Sequence, residues 1–159
     1  MDDDSIEAVP EGFTRLPTGL GFTDNLQPCF RRVEGESVSF GLVVEQQHGN
    51  VMGMCHGGVL VTLADITAAT GVNVARGIRA GSPTINLAVD FITAARMGQW
   101  IQADVHSVTV KRRFGFCSGL IISSAAVVAR FSGTFYLPDH KGMVKPGAIG
   151  DGLPALLAD

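Results

Sequence analysis

The chain has 159 residues, 46% of them apolar and 17% charged, with a formal net charge of −3. That balance fits one folded domain, excludes a disordered chain and gives no electrostatic footing for nucleic acid. No run nears the roughly 18 unbroken apolar residues of a membrane span, and the Met-Asp-Asp-Asp start lacks the layout of a signal peptide, so the expected compartment is the cytoplasm, with no membrane contact. Three widely spaced cysteines, Cys29, Cys55 and Cys117, form no CxxC pair and are expected to be reduced, structural thiols.

Residues 1–21, with Pro10 and Pro17, are expected to form an arm; residues 22–137 the folded domain; residues 138–159 a tail with a short terminal helix. One short helical turn is expected before residue 25. Strand character runs from Cys29 to Val33 and from Val38 to Gln46, with Gly35 as the turn between them. Residues 48–58 look like a loop entering a helix, and the helix is expected from Gly57 to about Ala75. Its residues are apolar nearly all round, which predicts a buried helix. After it, Ile85, Leu87, Val89 and Phe91 alternate with Thr84, Asn86, Ala88 and Asp90. Ile101, Ala103 and Val105 alternate with Gln102, Asp104 and His106, and Lys111–Gly115 reads as a hairpin connection. Gly119 to Leu137 is one long strand, or two if broken at Gly133. Short connections between consecutive strands favour an antiparallel sheet, and one buried helix against it makes an α+β layer arrangement.

Two features of the helix stand out. Asp65 is the only ionisable side chain between Gly57 and Ala75. A buried carboxylate costs several kcal/mol unless it is paired, so it must face a cavity, an interface or solvent. In a cleft it would serve as a general base or a nucleophile. Gly57-Gly58 is a poor helix start on propensity, yet it leaves bare backbone that a ligand can approach. The first N–H groups of a helix have no internal partner and carry its partial positive charge, which suits an oxyanion or a polarised carbonyl. His56 and Asp65 are nine positions apart, about 13 Å along the axis and on opposite faces. If both belong to one site, two subunits must share it, as a two-fold dimer would allow.

The run Asn50-Val51-Met52-Gly53-Met54-Cys55-His56-Gly57-Gly58, followed by Leu63-Ala64-Asp65, resembles the signature of hotdog-fold thioesterases of the phenylacetate-degradation type. Pro83-Thr84 through Phe91 and Ala95-Arg96-Met97-Gly98 are similar to that family's next strand and turn, with Ala94 standing where a proline is common. The resemblance implies a hotdog fold, in which a curved antiparallel sheet wraps a long central helix. It implies hydrolysis of acyl-coenzyme A (acyl-CoA) by a homodimer, often paired into a homotetramer, with neither metal nor cofactor beyond the coenzyme A of the substrate. By position, Gly57 would polarise the carbonyl through its N–H. Asn50 would place the water or the carbonyl, and His56 would orient neighbours or face the thiolate. Asp65 of the partner subunit would be base or nucleophile, and Thr84 would assist the water.

Lys111-Arg112-Arg113 is the one basic cluster, either a solvated turn or a contact for coenzyme A phosphates. The resemblance favours the second, with Gly58 and Phe114 as further coenzyme A contacts. Phe114 and Phe116 could flank the adenine or pantetheine, with core packing the better expectation. A Cys55–His56 dyad is disfavoured because adjacent extended residues point to opposite sides. His48, His106 and His140 read as satisfied or surface histidines. Two other classes stay open: a hotdog hydratase or dehydratase, and a non-catalytic acyl-CoA-binding module.

Overall fold

The structure is a computed structural model that describes residues 6–77, 81–124 and 126–138; the expected terminal helix and His140 lie outside these. Strands β1 (Thr14–Arg15), β2 (Phe30–Glu34), β3 (Ser37–Val43), β4 (Thr84–Phe91), β5 (Trp100–Lys111), β6 (Phe114–Ser123) and β7 (Val127–Tyr136) form one sheet. Its order is β1-β2-β3-β5-β6-β7-β4, antiparallel throughout, so β4 is an edge. The single α-helix among the described residues, α1 (Gly57–Arg76), lies against one face of the sheet. The α+β arrangement read from the sequence is therefore the observed one.

Helix α1 is apolar on most sides because the sheet curves around it. Leu60, Leu63, Ala64, Ala68 and Val72 are buried against Phe40, Leu42, Ile101, Ile121, Phe131 and Phe135. Gly115 lets the helix approach closely, since a Cβ there would stand 2.4 Å from a Val72 methyl. The helix ends at Gly77, which takes the left-handed conformation at φ 68°.

Several boundaries differ from the sequence reading. The long stretch after Gly119 breaks between Ser123 and Val127, where the Ser123 N–H donates to the Ala126 carbonyl, and not at Gly133. Gly133 sits inside β7 instead, where a Cβ would come within 2.8 Å of the Phe135 ring. Strand β5 runs on past His106 to Lys111, because a bulge at His106 interrupts the alternation and hides the continuation. Strand β3 stops at Val43, and Gln46–His48 forms a 3-10 turn. The short turn expected before residue 25 is the 3-10 segment Gly21–Leu26. Phe114 and Phe116 are exposed on the sheet face away from α1, so neither packs in the core.

The segment from Glu7 to Phe13 crosses that outer face. The Glu7 carboxylate accepts from the Trp100 N–H and the Ser124 hydroxyl, and Phe13 packs edge-on against Trp100. The arm thereby joins the start of β5 to the β6–β7 turn.

Candidate active site

The sequence His56-Gly57-Gly58 makes an N-terminus with one open donor. His56 is the N-cap, in extended conformation, and its Nδ1 accepts the Gly58 N–H at 2.8 Å. Its carbonyl accepts the Val59 and Leu60 N–H groups at 3.0 and 3.4 Å. Of the first four donors of α1, Gly57 alone has no acceptor for its N–H among the described residues. Gly58, expected at the coenzyme A, has its N–H taken by His56. Because Nδ1 accepts, the neutral His56 ring carries its proton on Nε2, a donor on an exposed side chain.

The loop that delivers this end is tied down by its own backbone. Asn50 Oδ1 accepts from Met52 and Met54 at 2.9 and 3.2 Å, and the Asn50 N–H donates to the Met54 carbonyl. With Oδ1 committed, the side chain of Asn50 has its amide N–H groups left to offer a ligand. The Cys55 N–H donates to Ala95 and the His56 N–H to His48, both at 2.8–2.9 Å.

His48 carries more of this loop than a lone histidine in the sequence suggests. It is fully buried, its Nδ1 accepts the Glu45 N–H at 3.0 Å, and its carbonyl holds His56. Its Nε2 is buried without a protein partner. No periodicity or motif marks it in the sequence; only its burial reveals it.

Cys55 lies beside His56 but is no nucleophile. Burial pushes its thiol up to about 12, leaving almost no thiolate at neutral pH. Burial does the same to Cys29 and Cys117, and all three thiols are free.

Asp65 is half-buried, two turns further along α1, and accepts from the Thr84 hydroxyl at 2.7 Å. The alternation in β4 groups Thr84 with Asn86, Ala88 and Asp90, on the face away from the helix. A bulge at Ile85 changes this: Thr84 pairs with Phe135 while Asn86 pairs with Thr134, so Thr84 is turned to the helix side. The extra residue is what brings the hydroxyl onto the carboxylate.

The basic turn belongs to neither group in one chain. Lys111 and Phe114 pair across a two-residue turn made of Arg112 and Arg113, with Arg112 in the left-handed region at φ 49°. All four side chains are exposed. Gly115 packs on Val72 and the Arg113 carbonyl accepts from Leu137, so the turn sits near the C-terminal end of α1. Fifteen residues of helix separate Val72 from Gly57, about 22 Å. Within one protomer, then, Asn50, His56, Gly57 and Gly58 gather at the helix start, Asp65 and Thr84 pair along its flank, and Lys111–Phe114 lie near its far end. Among the described residues no group of three or more His, Cys, Asp or Glu is placed to bind a metal ion.

Comparison with known proteins matches residues 52–135 to the thioesterase superfamily. The chain is 33% identical over 131 residues to a Pseudomonas aeruginosa protein named Putative esterase PA0474, covering 82% of this chain and 98% of that one. The fold is shared with zebra fish thioesterase superfamily member 2 (TM-score 0.68, 24% identity, 74% of this chain and 87% of that one). It is shared too with a mutant of the phenylacetic acid degradation protein PaaI of Thermus thermophilus (TM-score 0.66, 24% identity, 74% and 98%). A hypothetical thioesterase of Streptococcus pneumoniae, solved with coenzyme A, also matches in fold (TM-score 0.63, 16% identity, 82% and 98%). With the family model covering more than half of it, and with a helix start that leaves one N–H open to a carbonyl, the chain belongs to the thioesterase superfamily and is a thioester hydrolase.

Proposed function

We propose that the protein hydrolyses acyl-CoA thioesters to a carboxylic acid and coenzyme A, in a site shared by two subunits. The observation that carries this reading is the single open donor at Gly57, set apart from Asp65. Coenzyme A bound to the Streptococcus pneumoniae relative supports the choice of thiol. No cofactor is invoked beyond the coenzyme A of the substrate.

The edge strand supplies the reason for sharing. The Phe91 end of β4 lies against Gly57, and its Thr84 end holds Asp65. Antiparallel pairing of β4 with the same edge of a second copy would set each end opposite the other. Gly57 of one chain would then meet Asp65 of the partner subunit. The edge has unpaired backbone groups, and Ile85 and Phe91 on it are exposed, as an interface strand would be in the isolated chain. The same operation would bring the partner's Lys111, Arg112 and Arg113 towards this site, where their charges suit the coenzyme A phosphates. Dimers would pair into a tetramer through the outer sheet face, where shallow depressions of about 280 and 340 Å³ are lined by Ser107, Thr109, Phe116, Ser118 and Ser132 among others.

In this arrangement the thioester oxygen accepts from the Gly57 N–H, and the positive end of α1 stabilises the charge that develops there. Asn50 adds a donor to the carbonyl or holds the water. Asp65 of the partner subunit, oriented by Thr84, takes a proton as water adds to the carbonyl carbon. The tetrahedral intermediate then expels the thiolate, with the His56 Nε2–H on the side of the leaving sulphur. In the other route Asp65 attacks first and water cleaves the anhydride. Label found in the Asp65 carboxylate after a single turnover in isotopically labelled water would assign the anhydride route, with water attacking at the Asp65 carbonyl.

Thiol release from a panel of acyl-CoA esters tests the activity. The shared site is tested by mixing two inactive chains, Gly57→Pro and Asp65→Asn. Hybrid dimers hold one intact site and should regain a substantial part of the activity. Absence of any rescue after proven subunit exchange would rule out the shared site.

A further inference from the structure

We infer that Phe91 is a specificity-determining residue: its ring is the wall against which the acyl group packs, so that it favours bulky apolar acyl groups over acetyl. This rests on the thioesterase reading above. Leu87, Val89 and Phe91 share the helix-side face of β4, pointing towards the core. Leu87 and Val89 are half-buried there, but Phe91 is 57% exposed. Its ring edge is turned to the helix start: a methyl group built on Gly57 would lie 3.4 Å from Cζ and 3.5 Å from Cε1. That is ordinary van der Waals contact, so the aromatic edge stands directly beside the residue whose N–H is open.

A carbonyl bound to that N–H carries two substituents, and the surroundings sort them. The sulphur leads to a polyanion, which belongs with Lys111, Arg112 and Arg113, at the far end of the partner's helix. The carbon substituent is left the side of β4 of the chain that supplies Gly57. The exposed apolar side chain placed there is that of Phe91. A surface of that kind gains little from a two-carbon acyl group. It gains much from a larger one, because apolar contact grows with the area removed from water.

The variants Phe91→Ala and Phe91→Leu are compared with the wild-type protein on acetyl-, hexanoyl-, benzoyl- and phenylacetyl-CoA. With Phe91→Ala, kcat/KM for the three larger substrates should fall roughly 10–100-fold further than that for acetyl-CoA. Phe91→Leu should recover hexanoyl-CoA better than the aryl substrates. An equal change on all four substrates, or none, would overturn the proposal. In particular, an equal fall with loss of the dimer in sedimentation would make Phe91 an interface residue only. Should the wild-type protein release thiol from none of them, the acyl-CoA reading fails on its own. The wall is then tested with the same acyl groups carried as non-hydrolysable thioethers, by calorimetry. Weaker binding of the larger analogues alone would support it, and a uniform change would reject it.

Discussion

At its start, α1 meets a loop in which nearly every polar group is committed, while Asp65, two turns further on, is held by a single hydroxyl. His56 takes three of the four leading N–H groups, through its ring and its carbonyl. Asn50 spends its side-chain oxygen inside the loop, and His48 fixes the loop from beneath. Among the described residues Asp65 has only the Thr84 hydroxyl as a partner, and it is half-buried. The difference matches two chemical tasks. A group that stabilises developing charge works best when it is rigid before the reaction, because no reorganisation is then needed. A base must exchange a proton with water, so it needs access and one orienting partner.

The largest effect should come from the open half. Asp65→Asn keeps the shape and the contact with Thr84 but removes the proton acceptor. It is expected to lower kcat by roughly 10²–10⁴, the range for a positioned base. Full activity in this variant would remove Asp65 from the chemistry. At the rigid half, Gly57→Pro is the sharper probe. Proline is well accepted at the first position of a helix, and the extended N-cap at ψ 137° suits a following proline. The substitution deletes one N–H and little else. Turnover should fall on the order of 10²–10³, as for loss of one oxyanion donor, with the melting temperature nearly unchanged. An active Gly57→Pro protein would place the carbonyl elsewhere.

The same contrast decides what could be read in the sequence. Asp65 is legible because a lone carboxylate on an apolar helix has no bland explanation, and Gly57-Gly58 because glycine opposes a helix start. The sheet is legible where alternation is regular, in β3, in most of β4 and in the first half of β5. It fails where one residue is inserted. The bulge at His106 conceals half of β5, and the one at Ile85 assigns Thr84 to the wrong face. Burial of His48 and the tie of Glu7 across the outer face depend on contacts between segments far apart in the chain, which no local pattern records. The break between Ser123 and Val127 is hidden for a related reason. Two serines make a quiet turn, while Gly133, the louder signal, serves close packing inside β7.

Thr84 gives the finest test of how the open half works, because its role is to orient and not to react. Thr84→Val preserves the branched shape and removes the donor, so Asp65 keeps its charge but loses its one fixed direction. Loss of a hydrogen bond to a charged group predicts a fall in kcat of roughly 10-fold, with KM little changed. Thr84→Ser restores the hydroxyl at the same bulged position and should recover most of the rate. A purely structural role would predict otherwise: valine fills the space and would be tolerated, while serine leaves a gap and would be the worse substitution. Rescue by serine, with valine impaired, therefore assigns the bulge at Ile85 a chemical purpose, that of turning one hydroxyl to the carboxylate.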